Sequence, residues 1–322
     1  MRLSLHVVSF AVLAIVSSPS FAADEDINSV YQAKNANETI TLDIGFGYMN
    51  AKAHELVYDT TDGGRKLSEL IWEMDSAAVA QVGLGFKLSN DLALKLRGTF
   101  GIDGDSYMED YDWLDNTIPD TWTHLSQHDD TRLNGYNRLD AALQWDFADL
   151  DPVSIGALLG VRVTNIKWSA HGGDYTYTTT TLRDTTGSFP DGEKGITYEQ
   201  IYGTPYLGLT AGFDNGDFAM SGSVIASVVA KGSGEDHHWA RNLVFEDDLE
   251  LSTMFSLQAE AIYRFNPSYQ FFVNAEYERY ADTKGATDVF DMLGNLVLAE
   301  GDGTAGSDHT SLTAVAGLRF AY

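Results

Sequence analysis

Apolar residues recur at every second position along ten separate stretches of this chain, and no other feature restricts its fold so strongly. Ile40, Leu42, Ile44, Phe46 and Tyr48 alternate with Thr39, Thr41, Asp43, Gly45 and Gly47. The same alternation runs through 78–88, 92–100, 139–147, 153–163, 205–213, 218–230, 257–265 and 269–277. The chain ends on it, with Leu312, Ala314, Ala316, Leu318, Phe320 and Tyr322. A period of two sends successive side chains to opposite faces of a strand. The expectation is an all-β chain of ten strands, each with an apolar and a polar face.

The polar face carries full charges: Arg97, Arg138, Asp140, Glu260, Arg264, Glu276 and Arg319. A β-sandwich would turn these to bulk water, whereas an outer-membrane barrel would enclose them and show its apolar face to lipid. Three features favour the barrel. Residues 1–22, MRLSLHVVSFAVLAIVSSPSFA, read as a secretory signal with Ser20 and Ala22 at the cleavage positions, leaving 23–322 as one domain. The strand count is even, and the last strand ends on an aromatic. There is no cysteine to staple a secreted fold, and no later segment is apolar for the roughly 20 residues of a membrane helix. Lipid satisfies no backbone polar group, so the sheet must close.

The reading is therefore a ten-stranded antiparallel transmembrane β-barrel. Short turns at 89–91, 148–152, 214–217 and 266–268 belong on the periplasmic side. Long connections at roughly 50–70, 101–136, 165–200, 231–252 and 280–309 belong outside. Unusual polar chemistry then gathers at the external end.

Two clusters stand out there. EDYDWLD, 109–115, packs four carboxylates around Trp113 and Leu114, in a connection with nine carboxylates and one arginine. A charge run is usually a solvated face. Yet in an extended segment Asp110 and Asp112 point to the same side, and close carboxylates tend to share a proton. Such a pair can hold a water and manage protons at a carbonyl. GEDHH, 234–238, places Asp236 two residues from His238, the arrangement of a general base and its orienting acid, although a D-x-H triplet by itself is more often a surface histidine. The two connections fall on opposing walls of a ten-stranded barrel, so a water held between the pairs would be placed to attack a peptide carbonyl. Loss of activity in acid, as His238 protonates, is expected. Metal ligation by Asp110, Asp112 and His238 is the rival use, but neither an H-x-x-x-H pair nor an EF-hand loop is present, and no cofactor is expected. A net charge of −27 repels nucleic acid.

GGRKLSELIW (63–72), YDWLD with PDTWT and HDDTRLN after it (111–134), GGDYTY (172–177), RDTTGSFPDGEKGITYEQ (183–200), PYLGL (205–209) and the D-H-H-W of 236–239 together resemble the omptins, outer-membrane proteases of Gram-negative bacteria. The resemblance implies a barrel in the outer membrane, embedded in its lipid, with a proteolytic cleft facing the exterior. It implies peptide or protein substrates, cut commonly between basic residues. The family's aspartate pair falls on Asp110 and Asp112, its Asp–His pair on Asp236 and His238, and the acid at the base of its substrate pocket on Glu55. The chain departs from the pattern in three respects. A second pocket acid is Gly234, with Glu235 beside it expected to point elsewhere, and another acid is His124. Positions that contact lipopolysaccharide fall on Val161, Val163, Asn165 and Ile201, none charged. A monomer is expected, and a non-enzymatic surface barrel (an adhesin or invasion factor) on the same scaffold is the alternative.

Overall fold

The computed structural model describes residues 39–322; the signal segment read at 1–22 lies outside the described residues. Twelve strands follow one another: β1 (Ile40–Asp59), β2 (Arg65–Lys87), β3 (Leu92–Asp112), β4 (His124–Asp149), β5 (Val153–His171), β6 (Asp174–Tyr177), β7 (Thr185–Ser188), β8 (Lys194–Asp214), β9 (Phe218–His238), β10 (Leu243–Asn266), β11 (Tyr269–Asp291) and β12 (Leu296–Ala321). Ten of them hydrogen-bond in the order β3-β2-β1-β12-β11-β10-β9-β8-β5-β4, and pairing of β3 with β4 closes the ring. All pairings are antiparallel. Strands β6 and β7 form a small hairpin that docks on Leu125–Gln127 of β4.

The faces are sorted as a membrane barrel requires. Phe46, Tyr48, Trp145, Leu159, Leu207 and Leu257 stand exposed on the outer wall, whereas Arg138, Arg162, Glu276 and Glu278 are almost wholly buried in the lumen. Buried charges need partners, and these have them. Arg138 donates to Glu276 at 3.0 Å, and Arg162 reaches Asp140 at 2.9 Å and Glu276 at 2.7 Å. Arg319 forks onto Asp43 at 2.6 and 2.7 Å and bonds Glu260 at 3.1 Å. The Arg162–Asp140 and Arg319–Asp43 links join register partners on adjacent strands, whereas those from Arg138 and Arg162 to Glu276 and from Arg319 to Glu260 tie non-adjacent strands together. A cavity of about 360 Å³ lies among Asp43, Lys95, Arg162, Glu260 and Arg319, at the end of the lumen where the short turns are.

The four short turns fall where the sequence puts them, and the backbone amide of Thr39 donates to the Tyr322 carbonyl at 2.9 Å beside them. The expected long connections are mostly not loops. Ring strands are 19 to 26 residues long, against the roughly 9–11 that cross a bilayer. The external connections shrink to 60–64, 113–123, 172–193 with its hairpin, 239–242 and 292–295. Above the hydrocarbon both faces of a strand meet polar surroundings, so the apolar alternation fades although the backbone ladder continues. Asp110, Asp112, Asp236 and His238 are thus strand residues, and the strand backbone holds them more rigidly than a loop would.

Candidate active site

EDYDWLD is divided by its own pleat. Glu109 and Tyr111 face outward, where Glu109 accepts from the Tyr107 hydroxyl at 3.0 Å and the Tyr111 hydroxyl at 3.2 Å. Asp110 and Asp112 share the inward face with Met108, which is fully buried. Trp113 lies outside this pair and fixes the strand end: its carbonyl accepts from Arg65 at 2.5 Å, and the Lys66 ammonium sits 4.0 Å above its ring. The crowding of like charge is therefore a property of the sequence more than of space, except between the two inward aspartates.

Those two are half-buried. Burial, and next the charge of Asp112, pushes Asp110 up to about 7. Burial likewise raises Asp112 above the usual carboxylate range. Ser68, across from Asp112 in the β2–β3 register, donates to Asp110 at 3.2 Å. Positive charge from His238 and Arg241 opposes both shifts, which brings β9 and its turn to the same site. In the ring, β9 is four strands from β3 one way and six the other, close to diametrically opposite.

On that far wall Asp236 and His238 also face inward, 1% and 8% exposed. His238 Nε2 lies 2.5 Å from Asp236 Oδ2. The angle is poor for a hydrogen bond, and both Asp236 oxygens lack a well-aligned donor. The Arg241 guanidinium rests against His238 Nδ1. Guanidinium only donates, so Nδ1 presents its lone pair to Arg241 and the ring proton is carried by Nε2, beside Asp236. Phe245 packs edge-on to the imidazole, with centroids 5.2 Å apart.

Glu55 projects inward from β1 and is 4% exposed. Burial raises its carboxyl well above the usual range, and the nearby Asp236, Asp247 and Asp110 charges raise it further. Glu235 points to the outer face and bonds His237 at 2.9 Å, as its parity requires. His124 pairs in register with Asp112, and its ring lies 4.8 Å from that of Tyr177. Among the described residues no three His, Asp or Glu side chains come together at a spacing that suits a metal ion. Val161, Val163 and Ile201 stand exposed on the outer wall, and Asn165 donates to Glu199 at 2.6 Å.

Sequence reasoning brought out Asp110, Asp112, Asp236, His238 and Glu55, and the fold gathers all five at the outer mouth. It missed Ser68, Arg241 and Asp247. Each arrives through strand pairing or a turn, and only the parity rule applied to a known register would have found them.

A closed ten-stranded ring with apolar outer walls and an inward acid–imidazole cluster at its outer end defines an outer-membrane β-barrel with a candidate active site at its mouth. The omptin family model matches residues 36–322, and the chain belongs to the omptin family. Protease 7 of Escherichia coli K12 is 29% identical over 312 residues, covering 95% of this chain and 96% of the relative. Outer membrane protease OmpP of the same strain is 30% identical, covering 88% and 91%, and the plasminogen activator of Yersinia pestis is 28% identical, covering 88% and 90%. The crystal structure of the outer membrane protease OmpT from Escherichia coli superposes with a TM-score of 0.83 at 28% identity, covering 88% of this chain and 97% of that one. Family membership places the chain among the outer-membrane proteases.

Proposed function

We propose that this chain is an endopeptidase in which Asp236 and His238 activate a water against a peptide carbonyl held near Asp110 and Asp112. The observation that carries the reading is the facing of a half-buried aspartate pair and a buried aspartate–histidine pair, both inward, across one cleft. His238 Nδ1, once Arg241 swings aside, takes a proton from water as the oxygen bonds to the carbonyl carbon. Asp236 orients the ring and stabilises the imidazolium. A carboxyl held near pH 7 keeps a proton at neutrality, so the Asp110–Asp112 pair donates a hydrogen bond to the developing oxyanion. The imidazolium then protonates the leaving amine, and the C–N bond breaks.

Glu55 favours a cationic side chain in the substrate. The cleft is built by one chain, so a monomer suffices. The uncharged wall at Val161, Val163 and Ile201 supports activity that does not depend on lipopolysaccharide. The test is a quenched peptide containing Arg-Arg, given to refolded protein and to His238→Ala. Removing a general base costs roughly 10²–10⁴-fold in rate. A drop in kcat of that size supports the proposal, and equal signal from both proteins supports a non-enzymatic barrel instead.

A further inference from the structure

Asp247 belongs to neither catalytic pair, yet it is buried beside them. It lies on β10, 8% exposed, on the inward face. In register it stands directly opposite Gly234 of β9 on one side and Thr287 of β11 on the other. The Thr287 hydroxyl donates to Asp247 Oδ1. Gly234 leaves the other oxygen uncovered: a Cβ there would sit 3.1 Å from Asp247 Oδ2 and 3.4 Å from the Tyr198 ring. The glycine therefore opens space in front of a carboxylate and above an aromatic floor. That floor is firm, because Tyr198 stacks on Trp72 at 5.8 Å and Trp72 on Trp168 at 5.8 Å.

The charge balance of this corner is unusual. Glu55, Asp236 and Asp247 are three buried carboxylates within electrostatic reach of one another. His238 answers Asp236. Among the described residues no lysine or arginine pairs with Glu55 or Asp247, and Glu55 Oε2 has no well-aligned donor, its one side-chain neighbour of hydrogen-bonding kind being another acid, Asp236. The lumen below shows how this chain treats buried acids that serve only structure: Glu276 is met by Arg138 and Arg162. A buried carboxylate without a cation is costly unless a ligand supplies one. Burial and the Asp236 charge together hold Asp247 up to about 7, as expected for an acid awaiting its counter-ion.

We propose that Asp247, together with Glu55, binds the cationic side chain of the peptide substrate in the space left by Gly234. This rests on the proteolytic reading and assigns the acid that sets its preference. A lysine or arginine side chain entering over Tyr198 meets one carboxylate from β1 and one from β10, with the aromatic face beneath it.

The test uses the full barrel and two quenched peptides that differ only at the residue before the cut, arginine or its neutral isostere citrulline. Asp247→Asn keeps an acceptor for Thr287 and removes the charge. Glu235→Gln, on the outer face, controls for net charge. Expected is a rise in KM for the arginine peptide of roughly tenfold or more in Asp247→Asn. Its kcat/KM for the citrulline peptide stays at the wild-type value, and Glu235→Gln changes neither. Equal losses on both peptides, or an unchanged arginine preference, overturn the proposal. If Asp247→Asn does not refold, judged by heat-modifiable gel migration, Asp247→Ser carries the same comparison. Wild-type protein that cuts both peptides equally refutes the Asp247 assignment and leaves proteolysis standing. Wild-type protein that cuts neither refutes both.

Discussion

A single proton distinguishes the Asp110–Asp112 pair from an ordinary acidic surface. Burial holds Asp110 near 7, against about 3.9 in an unfolded chain. Between those values the native state binds more protons than the unfolded state, so stability falls as pH rises through the window and stays lower above it. Asp110→Asn removes that penalty. The variant is expected to be more stable than wild type at pH 8, by on the order of 1–3 kcal/mol, with the gap closing at pH 4 and activity lost. Denaturant midpoints at the two pH values check this. A wild-type advantage at pH 8 would mean that the pair is ionised and satisfied. At this scale much was legible in advance. D-x-D and D-x-H both place their partners on one face of a strand, which parity alone reveals. Arg241 at His238 was not legible, since it depends on how the 239–242 turn folds back.

The strands carry these residues to height. The ring strands continue well beyond the lipid, and at that level Trp72 of β2, Trp168 of β5 and Tyr198 of β8 stack across the lumen beneath the cleft. All three are fully buried. Trp168→Ala is expected to cost about 3–5 kcal/mol and to lower kcat as well, because the floor under Gly234 and Asp236 loosens. Urea titration followed by a rate assay on the folded fraction checks both parts; normal kcat in the folded fraction would detach the floor from catalysis. The strand cores were legible because lipid demands a clean apolar alternation, as in 40–48 and 312–322. Their upper halves were not. Asp103–Asp112 has polar residues on both faces, so only backbone pairing identifies it as strand. The β6–β7 hairpin is four residues a side and rich in threonine, too short for a period to register.

The whole molecule sorts charge by sign and by height. Arg138, Arg162 and Arg319 are paired with carboxylates inside the lumen, while the net charge of −27 is left mainly to the remainder of the chain. A mouth of one sign concentrates ligands of the other, and salt screens that attraction over a Debye length of about 8–10 Å. For a peptide with two arginines, kcat/KM is expected to fall severalfold between about 20 and 300 mM salt, through KM. A neutral peptide should show little change, and equal salt dependence for both would point to an effect on the barrel. The membrane setting and the closed ring followed from the alternation, the aromatic terminus and the need to satisfy every backbone group in lipid. The position of Asp247 did not, since it depends on which residue of β10 meets Gly234.

The proposed mechanism requires the two inward-facing pairs to act as one unit across the cleft. A double-mutant cycle in kcat on the Arg-Arg peptide, with Asp110→Asn, His238→Ala and both together, measures this directly. Residues that act as a unit are strongly non-additive, so the double variant is predicted to be no slower than the slower single variant. Losses that multiply, leaving the double variant slower by the product of the two single effects, would show that the pairs work independently and would contradict the mechanism.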